Sequence, residues 1–246
     1  MCGKMKKTVR YCYDCKQKCH RHGKIKNKQR WKCKNCGLTQ FSVYKRCIFT
    51  PERKDAIKRL NSENVGIRGM ARLLGLSPTH VIRCILQLSA LVKRPDYYEY
   101  GQEYELDELW SYSECKNNPQ WVVWAINRKT RVVIDFVVGR RTKETVNKLV
   151  EKLKRLHPKK IRTDKWAGYK SLLADIPKEI HRPGRRITNI LERQGATVRN
   201  SIKRLNRKTL SFSKTPKMLE ACILLYMDDC KWRPYRSGFI IRKPIF

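Results

Sequence analysis

Two sets of side chains in this sequence have the types and spacing to hold metal ions, and they call for different chemistries. The first is Cys12-x2-Cys15 and Cys33-x2-Cys36, with seventeen residues between the pairs. Each pair forms a tight knuckle, and four thiolates satisfy one tetrahedral zinc ion with no position left open for catalysis. Cys19, His20 and His22 stand close by as substitute ligands. The second set is acidic: Asp107 within Tyr104-Glu105-Leu106-Asp107-Glu108-Leu109-Trp110-Ser111-Tyr112, Asp164 before Lys165-Trp166, and Glu192 before Arg193. Aspartate is a poor strand former and costly to bury alone, so Asp107 among large apolar neighbours calls for a cation. Three carboxylates repel one another unless divalent cations neutralise them, and oxygen-only ligands select magnesium or manganese over zinc. Two such ions roughly 4 Å apart suit an in-line attack on a phosphodiester.

The rest of the composition says what these sites would act on. Lys+Arg number 57 against 21 Asp+Glu, a net charge of +36, and a polyanion is the partner that such a field fits. The charge is uneven. Residues 1–50 carry 15 basic side chains and one acid, and residues 182–217 carry 11 with Glu192 as the single acid. An acid alone in a basic segment asks for a role. With eleven cysteines a disulfide framework is the other possibility, but the chain opens Met-Cys-Gly-Lys-Met-Lys-Lys without an apolar leader, and four of the cysteines have metal spacing. No apolar run approaches the length of a membrane span. The expectation is a cytoplasmic, nucleoid-associated protein with no membrane partner.

These residues need scaffolds, and the pattern supplies three. Residues 1–49 read as a small zinc ribbon, with Trp31, Phe41 and Tyr44 as its core or as stacking surfaces for bases. Residues 50–94 read as an all-α helix-turn-helix domain. Pro51 suits the start of a helix that ends at Asn61-Ser62. Then Ala71, Gly75 and Val81 supply a small residue at a helix crossing, a glycine in the turn and an apolar anchor, with Ser77 as N-cap and Pro78 at the first helical position. Thr79, His80 and Arg83 would then face the major groove. Residues 95–102 form a linker beginning at Pro95. From 103 to 246 the class is mixed α/β: three alternating strands around Tyr104–Tyr112, Trp121–Ile126 and Arg131–Val138, a helix from Thr142 to Leu156, and a short strand Ile161–Asp164 reached by a crossover that favours parallel pairing. That is the order of a ribonuclease-H-like core. It would set Asp107 and Asp164 side by side, with Glu192 reaching in from a later helix whose apolar stripe is Ile187, Ile190, Leu191, Val198, Ile202 and Leu205. Gly195 inside that helix costs about 1 kcal/mol. A further apolar helix after Pro216 closes the core, and the tail from Arg233 is basic and aromatic. Lys165, Trp166 and Tyr169 either hold DNA or pack the helix after Asp164.

Strung together, Leu106-Asp107-Glu108-x-Trp110, Thr163-Asp164-x-Trp166-x2-Tyr169, and Glu192-Arg193 leading to Arg204-Leu205-x-Arg207-Lys208-x-Leu210-Ser211-Phe212-Ser213-Lys214 resemble a transposase of the insertion-sequence-one family, as do the ribbon and the helix-turn-helix. The resemblance covers nearly the whole chain. It implies a DNA transposase that binds the terminal inverted repeats of its element and cuts and joins strands through Asp107, Asp164 and Glu192, working as a homo-oligomer on element ends and target DNA. It also implies a DNA contact at Arg199, the basic position seven residues after the glutamate. Familiar members split the binding and catalytic parts over two overlapping reading frames, whereas this chain is continuous. Strand alternation sets Glu108 with Leu106 and Trp110 and sets Asp107 on the other face, so only one of the two should point at metals; the resemblance chooses Asp107 and leaves Glu108 to a buried basic partner. The other class of function is a DNA-binding regulator that keeps both binding modules over a catalytically inactive domain.

Overall fold

The structure is a computed structural model and describes residues 10–12, 14–41, 51–96, 99–184 and 188–234. Tyr44, Ile187 and the tail from residue 235 lie outside them. The chain divides into two compact units, residues 1–48 and 49–246.

In the first unit the described residues form an antiparallel sheet in the order β1 (Arg10–Tyr11), β2 (Lys18–Ile25), β3 (Lys28–Cys33), β4 (Thr39–Phe41). Its buried cluster is Cys12, Cys19, Trp31 and Cys33, so Trp31 is core rather than an open stacking surface. So few apolar side chains bury too little area to fold thirty residues unaided, and the cysteines must contribute more than packing.

The second unit begins with helices α1 (Pro51–Ser62), α2 (Ile67–Leu74) and α3 (Pro78–Leu91). Gly75 ends α2 with φ 62°, a left-handed position that suits glycine, and the Ser77 hydroxyl accepts from the His80 amide to cap α3. The mixed sheet follows: β5 (Glu103–Tyr112), β6 (Pro119–Asn127) and β7 (Val133–Gly139) form an antiparallel meander. Helix α4 (Lys143–Lys154), capped by Thr142, crosses over to β8 (Lys160–Thr163), which pairs parallel with β5. After the short α5 (Ala167–Leu172), β9 (His181–Pro183) pairs parallel with β8, giving the order β7-β6-β5-β8-β9. The sequence pattern does not reveal β9, because three residues at a sheet edge are too few for a periodicity.

Apolar layers cover both faces of this sheet. Tyr104, Leu106, Val123 and Ala125 pack under α4 with Val146, Leu149, Val150 and Leu153. Leu109, Val122, Trp124 and Ile126 face α6 (Asn189–Ser201) and α7 (Pro216–Asp229). A Cβ on Gly195 would stand 3.2 Å from Leu109 and 3.6 Å from Trp124, so the glycine that weakens α6 also lets it lie close on the sheet. The stripe expected to continue to Leu205 bends after Ser201 into a 3-10 turn, Lys203–Leu205.

The linker proposed at 95–102 does not mark off an independent helical domain. Ile57, Leu60, Val81, Ile85 and Leu88 share one buried cluster with α7 and the α6 face of the sheet, and Arg94 bridges Asp135 on β7 and Glu220 on α7. Helix α7 is apolar on nearly every side because it packs against α1, α3 and β7 at once.

Candidate functional site

The acidic site forms where two strands part. Parallel pairing of β5 with β8 ends at Leu106 opposite Thr163, so the next residues in register, Asp107 and Asp164, lie at the opening of the sheet. One oxygen each from Asp107, Glu108 and Asp164 lie within 4.8 Å of one another. Glu192, in the first turn of α6, is exposed and stands outside that cluster, but it lines the same cleft of about 600 Å³ with Asp107, Asp164, Arg141, Lys165 and Thr188.

Glu108 corrects the expectation that alternation would keep one of two neighbouring acids away from the site. The two side chains do leave β5 on opposite faces: Asp107 toward α6, and Glu108 toward α5, where its Oε1 accepts from Tyr169 at 2.8 Å. Past Leu106, however, no β8 partner blocks this edge of β5, and both carboxylates reach it. The Asp107 Oδ1 turns back to accept the Glu108 amide at 2.8 Å. Glu108 does have a basic partner, Arg141, whose Nη2 lies 3.1 Å from both Glu108 Oε2 and Asp164 Oδ2. That guanidinium is held between the Trp121 and Trp166 rings, 4.9 and 5.0 Å from their centroids. As one of 57 basic residues in an irregular loop, Arg141 carries no pattern that would single it out; its place just before the Thr142 cap of α4 was the available clue.

The electrostatics follow from this crowding. Burial, with the charges of Glu108 and Asp164 added to it, pushes the Asp107 carboxyl up to about 7. Burial also raises Glu108, against the Tyr169 and Arg141 bonds. An oxygen-only set with surplus negative charge fits magnesium or manganese. Tyr169 is fully buried, and its ring meets Trp166 edge-on at 5.2 Å, so both pack α5 and orient the acids. Lys165 is exposed in the cleft.

Glu105, two residues before Asp107, fixes the approach of α6. Wholly buried, it pairs with Arg128 through one oxygen and accepts the Leu191 amide at 2.9 Å through the other. That bond ties the first turn of α6, and so Glu192, to β5. Arg199, proposed as a DNA contact, lines a cleft with Asp107 and Glu192 and also has an internal use. Its guanidinium donates to the carbonyls of Leu205 at 2.7 Å and Trp110 at 3.0 Å, joining α6 to the strand and the 3-10 turn. On α3, Thr79 and Arg83 are exposed beside a groove against α7, and His80 is half-buried.

In the N-terminal unit the Sγ atoms of Cys12, Cys15, Cys33 and Cys36 cluster within 4.8 Å, with Cys15–Cys33 at 3.4 Å and Cys12–Cys36 at 3.6 Å. A tetrahedron with zinc–sulfur bonds of about 2.3 Å has edges of about 3.8 Å, so this donor set fits zinc. The Gln17 amide and the neighbouring Cys33 thiol lower Cys15 to about 6, toward the thiolate that binds metal. Cys19 lies in the adjoining core and outside the four-sulfur group.

Comparison with known proteins covers the half of the chain that carries the acids. Residues 103–233 match the family described as IS1 transposase. The insertion element iso-IS1n protein InsB of Shigella dysenteriae is 35% identical over 124 residues, which span 50% of this chain and 92% of that protein. The insertion element IS1 protein InsB of Shigella flexneri is 33% identical over the same length and shares. Among solved structures, a chain of the simian T-cell lymphotropic virus intasome, in complex with a PP2A regulatory subunit, aligns over 77% of this chain and 75% of its own at TM-score 0.36 and 14% identity, a likeness too slight to bear on the fold. No described helix is long and apolar enough to cross a membrane. With a family match over more than half its length and relatives covered almost end to end, the chain belongs to the IS1 transposase family.

Proposed function

We propose that the second unit is a ribonuclease-H-like nucleotidyl transferase that nicks and joins DNA strands at the ends of its own element through Asp107, Asp164 and Glu192, with residues 50–94 recognising the end sequence as a helix-turn-helix and residues 1–49 forming a zinc ribbon. The observation that carries this reading is the meeting of the Asp107 and Asp164 carboxylates where β5 and β8 separate, in a cleft that Glu192 also lines.

Asp107 and Asp164 would hold magnesium or manganese, with Glu192 completing the set from α6. Bound there, the metal supplies Lewis acidity and charge neutralisation for in-line attack by water or a 3′-hydroxyl on a phosphodiester. The chain's own residues do the positioning. Glu105 fixes the α6 turn that carries Glu192. Arg141, held by two indoles, keeps Glu108 and Asp164 in place. Lys165 gives the cleft a cation for a phosphate oxygen. The surplus of basic residues supplies affinity for the backbone, and α3 supplies discrimination through Thr79, His80 and Arg83. Such a protein acts as a homo-oligomer on DNA in the cytoplasm.

The test pairs strand nicking with gel shift on a duplex bearing the element end. Asp107→Asn, Asp164→Asn and Glu192→Gln should each lower nicking by at least about a hundredfold, since each removes a charge from the metal site, while end binding survives. Normal nicking by Asp164→Asn would overturn the assignment, and binding without nicking by the unaltered protein would leave a DNA-binding regulator. Arg83→Ala should reduce discrimination between end and random duplex by about 1–3 kcal/mol.

A further inference from the structure

Leu210 is 98% exposed, whereas Leu205 before it is buried and Phe212 after it is half-buried. It sits at the tip of a segment that is anchored on both sides. Before it, Thr209 is buried and its carbonyl accepts from the Tyr112 hydroxyl at 3.2 Å. After it, the Ser211 amide donates to the Thr209 hydroxyl at 2.9 Å, and the Phe212 ring lies 5.6 Å from that of Tyr112. Ser213 is fully buried, bridges to Ser113 and accepts the Glu114 amide at 2.8 Å. The backbone on either side of the leucine is thus pinned to the end of β5, the strand that carries Asp107.

The surroundings of this leucine are cationic. Arg207, Lys208 and Lys214 are exposed. Arg207, three residues before Leu210, lines a cleft with Asp107 and Glu192, so the segment runs from that cleft to the Tyr112 end of β5. An apolar side chain held out in water, with exposed cations before and after it in the chain, has the form of a wedge: the cations take the backbones of a duplex and the leucine enters between bases.

We infer that Leu210 inserts into a base step of the DNA next to the cleft, unstacking it so that the scissile strand can reach the carboxylates. This rests on the DNA-processing reading above. The segment's burial contacts belong to Thr209, Phe212 and Ser213, so replacing Leu210 leaves the anchors intact.

The experiment uses the full chain, calcium in place of magnesium to hold the DNA uncut, and end-bearing duplexes with 2-aminopurine placed at successive steps around the nick. The unaltered protein should raise the fluorescence at one step, reporting unstacking there. At protein concentrations where gel shift shows the duplex fully bound, Leu210→Ser should lose that rise, and Leu210→Phe should keep it. A rise that persists in Leu210→Ser, or no rise at any step despite tight binding, would overturn the wedge and leave the transposase reading standing. Failure of the unaltered protein to bind the duplex would overturn both. A monomer–oligomer shift caused by Leu210→Ser without DNA, with the fluorescence rise retained, would assign the leucine to contact between copies instead.

Discussion

The two regions of this chain proposed to bind metal solve opposite problems. In residues 10–41 two of the four clustered thiols make up half of the buried core: remove Cys12 and Cys33 and Cys19 and Trp31 are what remains. In the second unit the carboxylates sit where two interior strands part, in a sheet whose faces are already packed by separate apolar layers, so the fold does not depend on a cation. A ligand set that builds its own scaffold needs close spacing in sequence. A set mounted on a finished scaffold can be drawn from far apart, as the proposed residues 107, 164 and 192 are.

The largest effect that would break this contrast is metal removal. A chelator, or the double change Cys33→Ser and Cys36→Ser, should unfold residues 10–41, because structural zinc supplies on the order of 10 kcal/mol to domains of this size. Amide exchange should show that segment open while α1–α7 stay protected, and elemental analysis should find the zinc equivalent gone. Protection retained in residues 10–41 would mean that the ribbon does not depend on its thiols.

Arg199 gives a smaller effect of the opposite kind. Arg199→Ala leaves the carbonyls of Trp110 and Leu205 without their donor, which should cost roughly 1–3 kcal/mol and lower the melting temperature by several degrees. The salt dependence of DNA binding should not move. A shallower salt slope with unchanged melting would restore Arg199 as a phosphate contact.

The smallest effect is a pH slope in the metal-free protein. Asp107 titrates at about 7 in the fold, against about 4 unfolded, so between those values the folded state binds more protons. Stability should therefore fall as pH rises from about 4 to about 7, in contrast to a salt-bridged carboxylate, whose stability rises with pH. Asp107→Asn, or loading with calcium, should flatten that slope. A slope unchanged by Asp107→Asn would place the titrating group elsewhere.

Much of this was legible because it is local. The Cys-x2-Cys pairs, Gly75 in its turn, the Ser77 cap, the alternating strands and the apolar period of α4 depend on neighbours within a few residues, and the structure follows them to within two or three positions at the ends. Asp107 stood out in sequence because a carboxylate amid strand-forming apolar residues contradicts its surroundings, whereas Asp164, between Thr163 and Lys165, has no such setting. What the sequence could not carry is anything fixed by pairs far apart in the chain. That β8 stops at Thr163, and so frees the edge of β5 for Glu108 as well as Asp107, is a matter of register between strands more than fifty residues apart. Arg141 matters because two tryptophans and two acids converge on it, Arg199 because two carbonyls do, and α1–α3 join the core because α7 returns to cover them. Residue type and spacing determined which groups can do chemistry. Only tertiary structure decided which cations face them, since a long basic side chain can reach many partners and its choice is set by which surfaces the fold brings within reach.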